Sequence, residues 1–236
     1  MTTFALVHGA WHGAWCWERL TPELTGRGHR VVTVDLPSQD ETATFEAYAD
    51  TVVAALDQAG CAADDDLVVV GHSLGGHTLP WVALRRPVRH LVYLCALVID
   101  PGRSLANQDK TEPMLNPRHL DALSAPDGPA GCTRWVDEEL ARSLLYGDCT
   151  DDVAGAAVKR LRPQSIHPMR QRSALTDLRV APSTYVLCAD DQMVTPEWSR
   201  SVATERLGAP IVELPGGHSP FYSRPAALAD VLHRFA

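Results

Sequence analysis

The chain has 236 residues, 45% of them hydrophobic and 21% charged, enough for one compact domain with a full core and a sheet covered by helices on both faces. Its formal net charge of −8 and sequence pI near 5.6 set its surface against nucleic acid and anionic membranes, which it would repel. No basic segment or long apolar run precedes the first strand, so neither a secretory signal nor a membrane anchor is expected and the reading is cytoplasmic.

In chain order, Phe4-Ala5-Leu6-Val7 reads as a short buried strand running into His8-Gly9-Ala10-Trp11-His12-Gly13-Ala14-Trp15-Cys16-Trp17, a loop of small residues and tryptophan. Loops at the C-terminal ends of parallel strands are where ligands bind. Residues 15–26 carry a helical pattern ending at Gly26, and residues 30–37 read as a second strand stopped by Pro37. A helix is expected over residues 44–60, with Thr44 as its N-cap and Phe45, Tyr48, Val52 and Leu56 on one face. Asp64-Asp65-Asp66 reads as a solvated turn, since three consecutive side chains do not converge on one ion.

The stretch Leu67-Val68-Val69-Val70-Gly71-His72-Ser73-Leu74-Gly75-Gly76 organises the rest. Its apolar, mostly β-branched run is a buried parallel strand, and Gly-x-Ser-x-Gly follows on a turn into a helix expected to continue over residues 77–84. That turn presents Ser73 as a nucleophile and puts the Leu74 amide at a helix N-terminus, where an oxyanion would form. Gly9 lets the Ala10 amide approach as a second donor.

Residues 88–94 give the next strand, so strands alternate with helices as in βαβ units. Residues 100–176 then change character: prolines, weak strand signals and helical patches over 137–146 and 152–161. An insertion of this size at the active edge is expected to fold over the site as a small helical cap, with Trp11, His12, Trp135, Leu145 and Tyr146 as pocket residues. Beyond it, residues 183–188 are a strand, 196–207 a helix, 211–214 the last strand and 225–235 an amphipathic helix. The six cysteines are scattered without a CxxC pair and read as free thiols; no metal site or cofactor is called for.

His218 follows the last strand on Pro215-Gly216-Gly217, at the same sheet edge as Ser73, where a base has to be. The acid should follow the strand at Tyr185, where Asp190 and Asp191 stand side by side. Asp191 is preferred, with Val194 three residues on and Pro196 beyond; Asp190 is then a solvent-facing turn residue, and Asp100 ranks behind both. Ser, Asp, His is the chain order of α/β-hydrolases.

On these residues the chain resembles the α/β-hydrolase superfamily, and HGAWHGAWCW resembles its subgroup of plant methyl esterases and hydroxynitrile lyases with their bacterial esterase relatives. The resemblance implies an α/β-hydrolase fold, a mainly parallel sheet flanked by helices with a small cap, and oxyanion amides at Ala10 and Leu74. Hydroxynitrile lyases of this subgroup carry threonine where this chain has Gly9 and lysine where it has Ser219, so the expectation is an esterase taking a small-molecule ester, with room for a homodimer. The alternatives are a slow-turnover ligand-binding protein, or thioester, lactone or carbon–carbon chemistry on the same serine.

Overall fold

Among the described residues eight stretches form strands: β1 (Thr3–Val7), β2 (Arg30–Thr33), β3 (Leu67–His72), β4 (His90–Leu94), the two-residue pieces β5 (Cys132–Thr133) and β6 (Gln164–Ser165), β7 (Ser183–Cys188) and β8 (Ile211–Leu214). The computed structural model describes residues 1–63, 66–129 and 131–236; Asp64 and Asp65 of the expected acidic turn lie outside the described residues. Six strands make one parallel sheet in the order β2-β1-β3-β4-β7-β8, and β5 pairs with β6 antiparallel. Every residue of β1 and β3 is buried, as expected of strands covered on both faces.

The register positions the site. Val7 lies opposite Gly71, and His72 opposite Leu94, so β1, β3 and β4 end nearly level. The chain runs from β1 outward to β2 and then returns to the other side of β1. The crevice beyond the C-terminal ends of β1 and β3 is therefore the topological switch point, where such sheets bind ligands.

The long helix forms at Phe45–Gln58, with Thr44 Oγ1 accepting from the Ala47 amide at 3.3 Å and Phe45, Tyr48, Ala49, Val52 and Leu56 buried. Two expected helices are broken instead. Residues 15–26 divide into a 3₁₀ turn, Ala14–Trp17, and a helix, Leu20–Gly26. The reason is Pro22: inside one continuous helix it would remove a hydrogen bond, whereas near a new N-terminus its missing N–H costs nothing. After Ser73 comes a 3₁₀ turn, Ser73–His77, then a helix, Leu79–Ala83, with Pro80 near its start for the same reason.

Between β4 and β7 the expected helical patches form as Glu138–Tyr146, capped by Asp137 accepting from the Leu140 amide at 2.9 Å, and Asp151–Val158. The same stretch also holds the short helices Leu105–Gln108, Pro117–Ala122 and His167–Arg170, which the sequence pattern did not announce. All six cysteines are free, and Cys149 alone among them is only partly buried. Among the described residues no helix is long and apolar enough to cross a membrane.

Candidate active site

Ser73 begins the turn directly after β3 at φ +51°, a left-handed conformation that a side-chain-bearing residue adopts at a cost of about 1–2 kcal/mol. Its neighbours permit this by being small. A Cβ on Gly75 would stand 2.7 Å from the carbonyl oxygens of both Val7 and His8, and one on Gly9 would stand 2.8 Å from Ser73 Cβ. The β1 loop and the serine turn are thus packed backbone against backbone. Ser73 keeps 8% exposure, and with Ala10 and Leu74 it lines a cavity of about 360 Å³.

His218, on the loop after β8, is 1% exposed. Its Nδ1–H donates to Asp191 Oδ2 at 2.9 Å, since a carboxylate there can only accept. Asp191 Oδ1 accepts from the amides of Met193 at 2.8 Å and Val194 at 3.0 Å, so the buried carboxylate is held by three donors. That arrangement leaves the lone pair of His218 on Nε2. Asp190 is exposed, as expected, yet it also braces the histidine loop, with Oδ2 accepting from the Gly216 amide at 3.1 Å. Asp100 instead pairs with Arg103 at 2.8 Å.

Two histidines set the β1 loop. His8 Nδ1–H donates to the Gly9 carbonyl at 2.8 Å and its Nε2 accepts from the Leu36 amide at 3.1 Å; burial pushes its pKa down to about 4. The Gly9 carbonyl and the Ala10 N–H belong to one trans peptide and point in opposite directions, so holding the carbonyl aims the N–H. His12 Nδ1–H donates to the Ala10 carbonyl at 2.8 Å, and the Tyr146 hydroxyl donates to its Nε2 at 2.7 Å; burial pushes its pKa down to about 3. Leu74 is the second residue of its 3₁₀ turn, where amides have no partner within the helix.

Of the five expected pocket residues, only Trp11 lines this cavity. It sits at φ +60°, and its Nε1–H donates to Thr133 Oγ1 at 3.1 Å. Trp135 stands behind it, ring edge to ring face at 5.4 Å between centroids. Leu145 and Tyr146, 1% exposed, and His12 belong to the core instead. The reason is that the helix Glu138–Tyr146 turns Tyr146 toward His12 rather than toward Ser73. The walls come from Leu97 and Met193 at the sheet edge and from Leu105, Leu123, Ile166 and Met169 of the covering segment, with exposed Asp109 and Arg170 as the charged members. Sequence reading missed these because each lies in irregular backbone or on a helix too short to show a period. It also assigned no role to His8 or His72, whose only signal was a polar ring next to a motif glycine or serine.

A hydroxyl on a strained turn, an imidazole whose far nitrogen is committed to a carboxylate, and an apolar cavity are the parts that nucleophilic acyl transfer requires. Among the described residues no three His, Cys, Asp or Glu side chains are grouped so as to hold a metal ion.

A profile described as Alpha/beta hydrolase family matches residues 4–231. Esterase PIR7B of Oryza sativa subsp. japonica is 28% identical over 256 residues, covering 99% of this chain and 95% of its own length. The Pyrethroid hydrolase of Sphingobium wenxiniae is 28% identical over 250 residues, covering 100% of this chain and 88% of its own. Among solved structures, a pyrethroid hydrolase from Sphingobium faniae superposes with a TM-score of 0.82 at 26% identity, over 99% of this chain and 96% of that one.

Proposed function

The chain belongs to the alpha/beta hydrolase family, and from that premise we propose that it is a serine carboxylic-ester hydrolase acting on a small or aromatic ester through Ser73, His218 and Asp191. The observation that carries the reading is the 2.9 Å bond from His218 to the buried Asp191, at the sheet edge where Ser73 occupies its left-handed turn. Relatives along nearly the whole chain are named an esterase and a pyrethroid hydrolase.

In this reading His218 Nε2 takes the Ser73 proton as Oγ attacks the ester carbonyl carbon. The Ala10 and Leu74 amides receive the oxyanion, a contact whose loss costs on the order of a hundredfold in enzymes of this kind. The imidazolium, stabilised by Asp191, returns its proton to the leaving alkoxide, and an alcohol departs. Water, deprotonated by the same nitrogen, then cleaves the acyl-enzyme to the acid and restores Ser73. The reaction needs no cofactor. The apolar wall of Trp11, Leu105, Leu123 and Met169 would take the hydrocarbon part of the substrate.

The test is hydrolysis of a short-chain aryl ester by the wild type and by Ser73→Ala, with labelling by a fluorophosphonate. The expected result is turnover and labelling that both disappear with Ser73, the rate falling on the order of 10⁴-fold or more. Labelling at Ser73 without turnover of esters, thioesters or lactones would point to a ligand-binding protein on this fold. An unlabelled wild type would overturn the reading.

A further inference from the structure

His72 is the last residue of β3 and the immediate neighbour of Ser73. Its side chain is wholly buried, and its Nε2–H donates to the main-chain carbonyl of His218 at 2.9 Å. Because a carbonyl only accepts, the ring proton is on Nε2. Its Nδ1 has no partner among the described residues and lies toward Gly9, where a Cβ would come within 3.1 Å of it. The ring is packed edge-on to Phe221 at 4.7 Å, beside the ring of His218 at 4.6 Å and against His12 at 5.8 Å.

These contacts place one bond between the two halves of the reacting pair. The residue before the nucleophile reaches across with its side chain to hold the main chain of the base. His218 enters its position from Gly216 and Gly217, the first at φ +101°, so the backbone preceding it has wide freedom. The Asp190 contact fixes the loop at Gly216, and the Asp191 contact fixes the far side of the imidazole. The His72 bond fixes the carbonyl of His218 itself. We propose that His72 is a positioning residue that sets the distance and angle between His218 Nε2 and Ser73 Oγ; this rests on the acyl-transfer reading above.

The environment suits that task. Burial, reinforced by the facing titratable rings of His218, His12 and His8, holds the pKa of His72 well below its ordinary value. It therefore stays a neutral donor when His218 becomes an imidazolium 4.6 Å away between ring centres. A charged residue in the same place would oppose that proton transfer.

Two variants separate donor from shape: His72→Phe keeps an aromatic ring without the N–H, and His72→Gln restores an amide donor at the Nε2 position. His72→Phe is expected to lower kcat on the order of tenfold to a hundredfold with KM little changed, and to slow fluorophosphonate labelling of Ser73 in parallel. His72→Gln is expected to recover both to within about threefold of wild type. Wild-type rates in His72→Phe, or an equal loss in both variants, would overturn the proposal.

Nitrogen NMR of the wild-type imidazoles guards against variants that fail to fold. His72 should show the Nε2–H tautomer and stay neutral between about pH 5 and 8, while an Nδ1–H tautomer or titration in that range would sink the idea. If the wild type were inert to the fluorophosphonate, the catalytic reading would fall by itself. The low-field Nδ1–H proton of His218, sharp in the wild type and exchange-broadened in His72→Phe, would then still decide whether His72 holds that residue.

Discussion

Asp190 and Asp191 are chemically identical and adjacent, and the fold gives them opposite surroundings. Asp191 is 6% exposed with both oxygens occupied, one by His218 and the other by two amides; Asp190 faces solvent and braces Gly216. Replacing Asp191 by Asn removes the acceptor that orients the imidazole and stabilises its charged form. Asp191→Asn should therefore lower kcat by about 10³- to 10⁴-fold, while Asp190→Asn should stay within about tenfold of wild type. Steady-state kinetics of the two variants checks this, and comparable losses would refute the assignment of roles. At this scale the sequence named both aspartates by their place after a strand. The preference for Asp191 used the loop-to-helix exit at Pro196, but burial is what separates the two. His8 and His72 were less legible, because their work is done on main-chain carbonyls that no side-chain pattern reveals.

At the scale of elements, the strands of the main sheet were readable because buried parallel strands are nearly unbroken apolar runs, as in Leu67 to Val70 or Tyr185 to Leu187. The covering segment was not. Its helices Leu105–Gln108 and His167–Arg170 are four residues each, about one turn, and β5 and β6 have two residues each, so neither a 3.6 nor a 2.0 period can be expressed. These pieces are held by contacts instead, including the Trp11–Thr133 bond and the Arg162 amide donating to the Trp11 carbonyl at 2.6 Å. The walls of the cavity, and with them substrate size, are therefore set by tertiary packing. Ala106, partly exposed on the cavity wall, is the place to test this. Ala106→Phe should reduce kcat/KM for a bulky aryl ester on the order of tenfold relative to the smallest acetate ester. A homologous ester series measures the ratio, and an unchanged preference would mean that the acyl or alcohol group binds elsewhere.

For the molecule as a whole, the buried histidines tie stability to pH. Burial lowers His8 to about 4, and His12 and His77 to about 3, from an ordinary value near 6.5. Between those limits the unfolded chain binds protons that the folded chain does not, so stability rises with pH there. It is fully present above about pH 6.5 and is lost as pH falls toward 4, at up to about 1.4 kcal/mol per pH unit for each histidine. The midpoint of thermal unfolding should drop accordingly between about pH 6.5 and 4. His77 packs against Phe45, the rings tilted by 38° at 4.8 Å between centres, and its Nε2 has no partner among the described residues. His77→Phe should therefore keep the packing and make the acid decline visibly shallower. A slope identical to wild type would show that His77 is not held neutral.

The sequence by itself determined the sheet, the chain order of Ser73, Asp191 and His218, and the small residues that let Ser73 take its turn. Each of these is a local matter of apolar runs, strand ends and backbone space, written in consecutive residues. Tertiary structure alone decided that Trp11 faces the cavity while His12 and Tyr146 bind each other in the core. It likewise decided that His72 and His8 hold carbonyls, and that short helices from the covering segment close the pocket. Those outcomes depend on which buried polar atoms find one another across many residues of chain: an unpaired donor or acceptor in the core costs about 1–3 kcal/mol, and the pairings that avoid that cost leave no periodic trace in the sequence.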